Sequence, residues 1–270
     1  MVSIVAGDGA MGRALAAALA GRGTPAQGVL GLPAGGADRH DPATFAGAEL
    51  LFDFTTGSAV LPNVRAALEG GVRRFVIGTT NWAADRPALD EALLANRATA
   101  VAAASFSLGV NLFGRLVDEA ARLFGPFEAF DPYLVEWHRR TKTDRPSGTA
   151  LELSRRLIAA HPRKSRLAPL GAKGAPAPDE LDVAVIRAGS SPGMHLVGFD
   201  APGESLEMRL TARDRSAYAA GALLAADWLA AEPRTPGIHT FDEVVDSMLV
   251  DRPNNSADVA RRAPSIASYH

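Results

Sequence analysis

The run IVAGDGAMGRALAAAL near the start of the chain constrains it most. Gly7, Gly9 and Gly12 stand in G-x-G-x-x-G spacing between an apolar strand-like stretch and an Ala/Leu-rich helical one. Each glycine answers a separate demand. Gly7 permits a tight turn, Gly9 lets the main chain approach a pyrophosphate, and Gly12 allows the helix to lie close on the strand. The helix then offers unpaired N–H groups and partial positive charge to the anion. Among 26 glycines such spacing alone would carry little. Its strand–turn–helix setting is what predicts a dinucleotide-binding start instead of a plain βα turn.

The remaining pattern extends that start. Strand-like runs at 2–7, 28–32, 49–55, 74–80 and 98–105 alternate with helical runs at 12–23, 59–71 and 86–97. Continuously apolar strands alternating with helices predict βαβ units in a parallel sheet. Beyond about residue 105 the texture changes. A long helix at 109–125, a strand of mixed polarity at 133–139 and a helix at 149–161 precede a Pro/Gly/Ala-rich stretch, 162–181, read as a mobile loop. Three alternating runs across 181–214 suit an antiparallel sheet with one wet face, and 216–230 reads as a buried helix. The expected fold class is α/β. A Rossmann-type parallel-sheet dinucleotide domain (1–107 with 215–270) is joined to an α+β substrate-binding and oligomerisation domain (108–214) with a mixed or antiparallel sheet. The weakly patterned tail NNSADVARRAPSIASYH is expected to be partly disordered.

Composition removes other classes. A net charge of −2 argues against a general nucleic-acid binder. The absence of cysteine excludes disulfides, thiolate zinc sites and a cysteine nucleophile, and no metal site is expected. The strand-like run beginning at residue 2 leaves no room for a signal peptide, and no stretch reaches ~18 uninterrupted apolar residues. A cytoplasmic protein with no membrane partner is the expectation.

The usual companion of the glycine loop is an acid at the end of the second strand, on the adenosine ribose. Here Leu32 and Pro33 occupy that place, and Asp38 and Arg39 follow in a glycine-flanked loop. Arg39 could meet a 2′-phosphate and Asp38 a ribose hydroxyl, or both could be solvated. NADPH or NADH therefore stays open, and the missing acid tilts the reading toward NADPH. FDFTT (52–56) and VIGTTNW (76–82) end the third and fourth strands at the carboxyl edge, where Gly78, Thr79 and Thr80 can approach a nicotinamide ribose.

The stretch VEWHRRTKTDRPSGTALELSRRL (135–157) carries the chemistry. Pro146 pushes Arg145 out of helical angles. Ser147-Gly148-Thr149 then opens a helix, with Thr149 and Glu152 in capping-box spacing. The N–H groups of Gly148 and Thr149 form an anion site, Lys142 adds a point charge, and His138 can present a proton at neutral pH. Separately these could be a helix start, a surface charge and a structural histidine. Together, in a chain with a dinucleotide loop, they suit a small dicarboxylate that accepts hydride and then a proton.

These residues carry a resemblance to the 4-hydroxy-tetrahydrodipicolinate reductases of bacterial lysine and diaminopimelate synthesis. That family's pattern is roughly E-x-H-H-x-x-K-x-D-x-P-S-G-T-A, and EWHRRTKTDRPSGTA (136–150) matches all but one fixed position. SFSLGVN (105–111), IRAG (186–189), GMHLVGF (193–199) and GIHTFDEVV (237–245) extend the similarity through most of the chain. The resemblance implies that His138 donates the ring proton after hydride arrives and that Lys142 binds a substrate carboxylate. It implies Ser147, Gly148 and Thr149, with Arg187, as substrate contacts. Gly7, Gly9, Met11, Gly12, Gly78, Thr79 and Thr80 would contact the cofactor, and Ser105 and Phe106 would border the nicotinamide. A homotetramer built through the second sheet, using NADH and NADPH alike, is also implied.

Departures fall at the same cleft. Arg139 replaces the second histidine of the usual pair and would contact substrate as a stronger cation. Asn81 replaces a glycine after G-T-T, Ser105 an asparagine, and the glycine loop is the shorter form. Two competing readings follow: a reductase of another imine or keto dicarboxylate, and a nucleotide-binding regulator without chemistry.

Overall fold

The structure is a computed structural model that describes residues 1–33, 39–171 and 173–250. Asp38 and the tail read as partly disordered lie outside the described residues. One sheet holds β1 (Ser3–Ala6), β2 (Gly28–Leu30), β3 (Leu50–Asp53), β4 (Arg74–Ile77), β5 (Thr99–Ala102) and β11 (Gly237–Thr240). All are parallel, in the order β11-β5-β4-β3-β1-β2. The strands are apolar on both sides because both sides are covered. Ile4 and Ala6 join the core of α2 (Gly57–Glu69) and α3 (Arg86–Ala95). Val5, between them, joins that of α1 (Ala10–Gly21), α6 (Ser216–Ala231) and α7 (Phe241–Val250).

From β1 the chain passes outward to β2 and then crosses back to β3, so strand order reverses between β1 and β3. A ligand crevice belongs at the carboxyl ends of strands that part in this way. The glycine turn after β1 and the segment after Asp53 flank it.

The second sheet comprises β6 (Asp131–His138), β7 (Arg166–Leu167), β8 (Glu180–Arg187), β9 (Met194–Ala201) and β10 (Glu204–Thr211), in the order β10-β9-β6-β8-β7. The expected antiparallel trio at 181–214 is corrected. β6 lies between β8 and β9, parallel to the former and antiparallel to the latter, so the sheet is mixed. The buried face of β6 needs a neighbour on each side. Leu134, Val183, Val197 and Phe199 pack on α4 (Leu108–Phe124) and α5 (Gly148–Ala160).

The two ends of the stretch read as a mobile loop are tied down. Arg166–Leu167 pairs with β8, Arg163 donates to the carbonyls of Gly125, Phe127 and Phe130, and buried Lys164 donates to those of Pro178 and Glu180. Cations on main-chain carbonyls supply an order that loop composition conceals. No described helix is long and apolar enough to cross a membrane.

Candidate active site

The glycine turn has the shape a dinucleotide phosphate requires. Gly7 sits at φ +110°, and a Cβ there would come within 2.4 Å of the Phe54 carbonyl oxygen. At Gly12 a Cβ would lie 1.7 Å from the Gly7 oxygen, so any side chain would break the turn. Gly9 faces open space, with nothing within 4 Å of an added Cβ. It is also the cap residue of α1, and no side chain bonds the first-turn amides. Those N–H groups are left for an anion.

A cleft of ≈ 880 Å³ runs from this turn to the second sheet. Met11, Gly78, Thr80, Ser105 and Phe106 line one side; His138, Arg139, Lys142, Ser147, Gly148 and Thr149 line the other. Thr240 and Phe241 close it from the chain's return.

Three predicted residues are placed differently. Thr79 is buried: its hydroxyl donates to Asp53 Oδ1 at 2.6 Å and accepts from the Thr55 N–H at 2.8 Å. Asp53, fully buried, also accepts from Asn63 at 2.9 Å, so FDFTT and GTT are locked together before any ligand arrives. Arg39 is ion-paired to Glu69 at 2.6 Å. Arg187 turns inward to Glu136. Gly78 lines the cleft, but its bareness serves the Phe54 ring, whose Cε1 would lie 2.1 Å from an added Cβ. Asn81 has φ +65°, which explains this departure: the position needs left-handed backbone, and asparagine tolerates it best after glycine.

The β6–α5 turn is organised around a carboxylate that was not singled out. Glu136, 0% exposed, accepts from the Ser147 N–H at 3.0 Å and from Arg187 Nη2 at 2.8 Å through Oε1. Its Oε2 lies 3.3 Å from His138 Nδ1 and 3.7 Å from His195 Nε2. Residues 136 and 138 share the inner face of β6, and His195 stands opposite Glu136 across β9. Period-two spacing could have found Glu136; His195 required the register. The three ligand atoms would suit a metal ion by distance alone. Arg187 beside the carboxylate makes the place unfavourable for one.

Helix α5 starts at Gly148, and its cap is Ser147, whose Oγ accepts from the Ala150 N–H at 3.1 Å. The capping box expected at Thr149 and Glu152 is therefore corrected: the turn starts two residues earlier. Because Ser147 satisfies the third amide, those of Gly148 and Thr149, residues that line the cleft's end, are left without a partner inside the helix. Nothing lies within 4 Å of an added Cβ at Gly148. Lys142 Nζ is 2.7 Å from Asp144 Oδ1, and both line the cleft.

Burial pushes His138 below the usual imidazole range; Glu136 opposes this, and Lys142 and Arg187 add to it. Burial also lowers His195, to about 4. For Glu136 burial acts upward, but the hydrogen bonds from Ser147 and Arg187 outweigh it and keep the carboxylate ionised. The site thus sets an imidazole whose proton affinity burial has lowered beside a buried carboxylate, with the cations Lys142 and Arg187 close by.

Residues 109–245 match the family model described as dihydrodipicolinate reductase, C-terminus. A 4-hydroxy-tetrahydrodipicolinate reductase of Archaeoglobus fulgidus is 38% identical over 203 residues, 74% of this chain and 76% of that protein. One from Methanoregula boonei is 34% identical over 230 residues, 78% and 87% of the two chains. Among solved structures, a dipicolinate-bound dihydrodipicolinate reductase from Paenisporosarcina sp. TG-14 shares the fold. Its TM-score is 0.68 at 18% identity, over 89% of this chain and 97% of that one. The C. glutamicum DAP dehydrogenase also shares the fold, at TM-score 0.52 and 16% identity over 98% and 99%. With the glycine turn, the β6–α5 cleft and these relatives in agreement, the chain belongs to the 4-hydroxy-tetrahydrodipicolinate reductase family.

Proposed function

We propose that the protein reduces 4-hydroxy-tetrahydrodipicolinate, by way of dihydrodipicolinate, to tetrahydrodipicolinate with NAD(P)H. The observation that carries this reading is a single cleft receiving the glycine turn's helix at one end and His138, Lys142 and the α5 amides at the other. The reduced nicotinamide supplies the hydride when bound.

This chain's residues do the rest. The amides of Gly148 and Thr149 and the ammonium of Lys142 bind a substrate carboxylate, for which Lys142 exchanges its contact with Asp144. Arg139, on the cleft wall, meets the second carboxylate. Glu136 Oε2, 3.3 Å from His138 Nδ1 with no hydrogen bond between them, favours the charged imidazole through its own charge, a positioning residue that tunes the proton donor. His138 Nε2 faces Gly193, where a Cβ would stand only 3.0 Å away. The bare backbone makes room for the ring. A dianionic substrate opposes the cations that lower His138, so binding raises the imidazole's proton affinity. The proton is gained at Nε2 and passed to the ring carbon or nitrogen left anionic by hydride addition.

In this reading residues 1–107 with 215–270 carry the dinucleotide, and 108–214 carry substrate and assembly. A cytoplasmic homotetramer built on the outer face of the second sheet accompanies it. Half-buried Tyr133, Val135, Trp137 and Leu196 and exposed Ile186 support that surface. Arg139 favours one second reading, a reductase of a related imine or keto dicarboxylate. The test is loss of reduced-nicotinamide absorbance when substrate is generated from aspartate semialdehyde and pyruvate by the preceding synthase. Oxidation with that mixture supports the first reading; dinucleotide binding with turnover only of other dicarboxylates supports the second.

A further inference from the structure

The acid expected at the end of the second strand is missing, yet a carboxylate stands in that place. The Gly7 N–H donates to the Leu30 carbonyl at 2.8 Å, drawing the glycine turn over the end of β2. Asp8 then sets Oδ2 3.0 Å and Cγ 3.4 Å from where a Cβ on Gly31 would be. Its carboxylate therefore lies at the root of the side chain that a strand-end acid at position 31 would use.

We propose that Asp8 selects the dinucleotide, receiving the adenosine ribose 2′-hydroxyl and turning away a 2′-phosphate, so that NADH is the preferred reductant. This rests on the reading that the glycine turn holds a reduced dinucleotide. An ionised carboxylate is a strong acceptor for a ribose hydroxyl and repels a phosphate of charge about −2. A 2′-phosphate would need a cation to offset that. Arg39 is already bound to Glu69 at 2.6 Å, and Arg13 Nη1 is held on the Asp8 main-chain oxygen at 2.5 Å. Residues 31–38 read GLPAGGAD and contain no lysine or arginine. The tilt toward NADPH, drawn from the missing acid, is thereby reversed: the acid comes from the first loop instead of the second strand.

The experiment is a fluorescence titration of NADH and of NADPH, without dicarboxylate, against the parent protein and Asp8→Ser. Asp8 is exposed, so the substitution leaves the core untouched. The parent should bind NADH about 10- to 100-fold more tightly than NADPH, the range for a hydrogen bond to a charged group. Asp8→Ser should close most of that gap, by weakening NADH and strengthening NADPH. A parent that binds NADPH as tightly as NADH overturns the proposal. So does a preference for NADH that Asp8→Ser leaves unchanged, and so does a preference for NADPH that Arg13→Ala abolishes. Binding of neither dinucleotide overturns the underlying reading and this one with it, an outcome distinct from the others, which all retain binding.

Discussion

Two helices aim their amino ends at one cleft, and they are finished differently. α1 starts behind Gly9 with no side chain on its first turn, whereas α5 starts behind Ser147, whose hydroxyl takes the Ala150 amide. A bare end suits a ligand that wraps the main chain and brings its own charge, as a pyrophosphate does. The capped end keeps two amides, and Ser147 fixes their direction through Glu136 and His195, the latter 3.2 Å from its Oγ. Binding is thus shaped by glycine sterics at one end and by a buried side-chain network at the other. Substitutions should separate the two.

The largest expected effect lies at the capped end. His138→Ala or Lys142→Ala should lower kcat by ~10²-fold or more, as for loss of a general acid. NADH affinity should stay unchanged, and steady-state kinetics with a fluorescence titration check both halves. At the bare end the pattern should invert. Gly12→Ala places a Cβ 1.7 Å from the Gly7 oxygen, so the turn must reshape. Overpacking of about 1–3 kcal/mol corresponds to roughly 5- to 150-fold weaker dinucleotide binding, measured by calorimetry.

Glu136→Gln should sharpen the comparison through pH. His138 acts in its protonated form, so activity is present below its pKa and lost as pH rises through it. Burial first, then Lys142 and Arg187, lower that pKa from 6.5, and the descending limb of kcat/KM should lie below this value. Removing the Glu136 charge takes away the larger of two opposing influences, Asp144 being the other. The limb moves to still lower pH, and turnover at neutral pH falls about tenfold for each unit moved. A pH profile that does not move would assign Glu136 to structure alone.

The smallest effect concerns stability away from the cleft. Burial holds His161 at about 4, where Nδ1 accepts from the Arg163 N–H. Between pH 6.5 and 4 the unfolded chain binds the proton and the folded chain resists it, so stability falls with pH across that window. His161→Asn should flatten the decline of Tm over the same interval.

The parallel sheet and the glycine turn were readable because their causes are local. Apolar runs mark doubly covered strands, and glycine is demanded by contacts inside one short turn. His138 and Lys142 were readable from motif and spacing. The insertion of β6 between β8 and β9 was not, since strand order is decided by contacts far apart in the chain. Thr79 looked like a cofactor hydroxyl because nothing local reveals that a buried Asp53 claims it. Arg39 looked free because Glu69 meets it only in the fold. Glu136 was within reach, two residues before His138 on the same strand face, while His195 appears only when β9 is laid against β6.

The central claim is that a dicarboxylate docks between Lys142 and the α5 amides, beside the dinucleotide. Its most direct test is calorimetric titration of pyridine-2,6-dicarboxylate into the NADH-loaded protein, repeated with Lys142→Ala. The account predicts saturable binding that weakens by ~10-fold or more in the variant, the cost of losing a charged hydrogen-bond partner. Equal affinity in both proteins, or no binding to the parent, would contradict it.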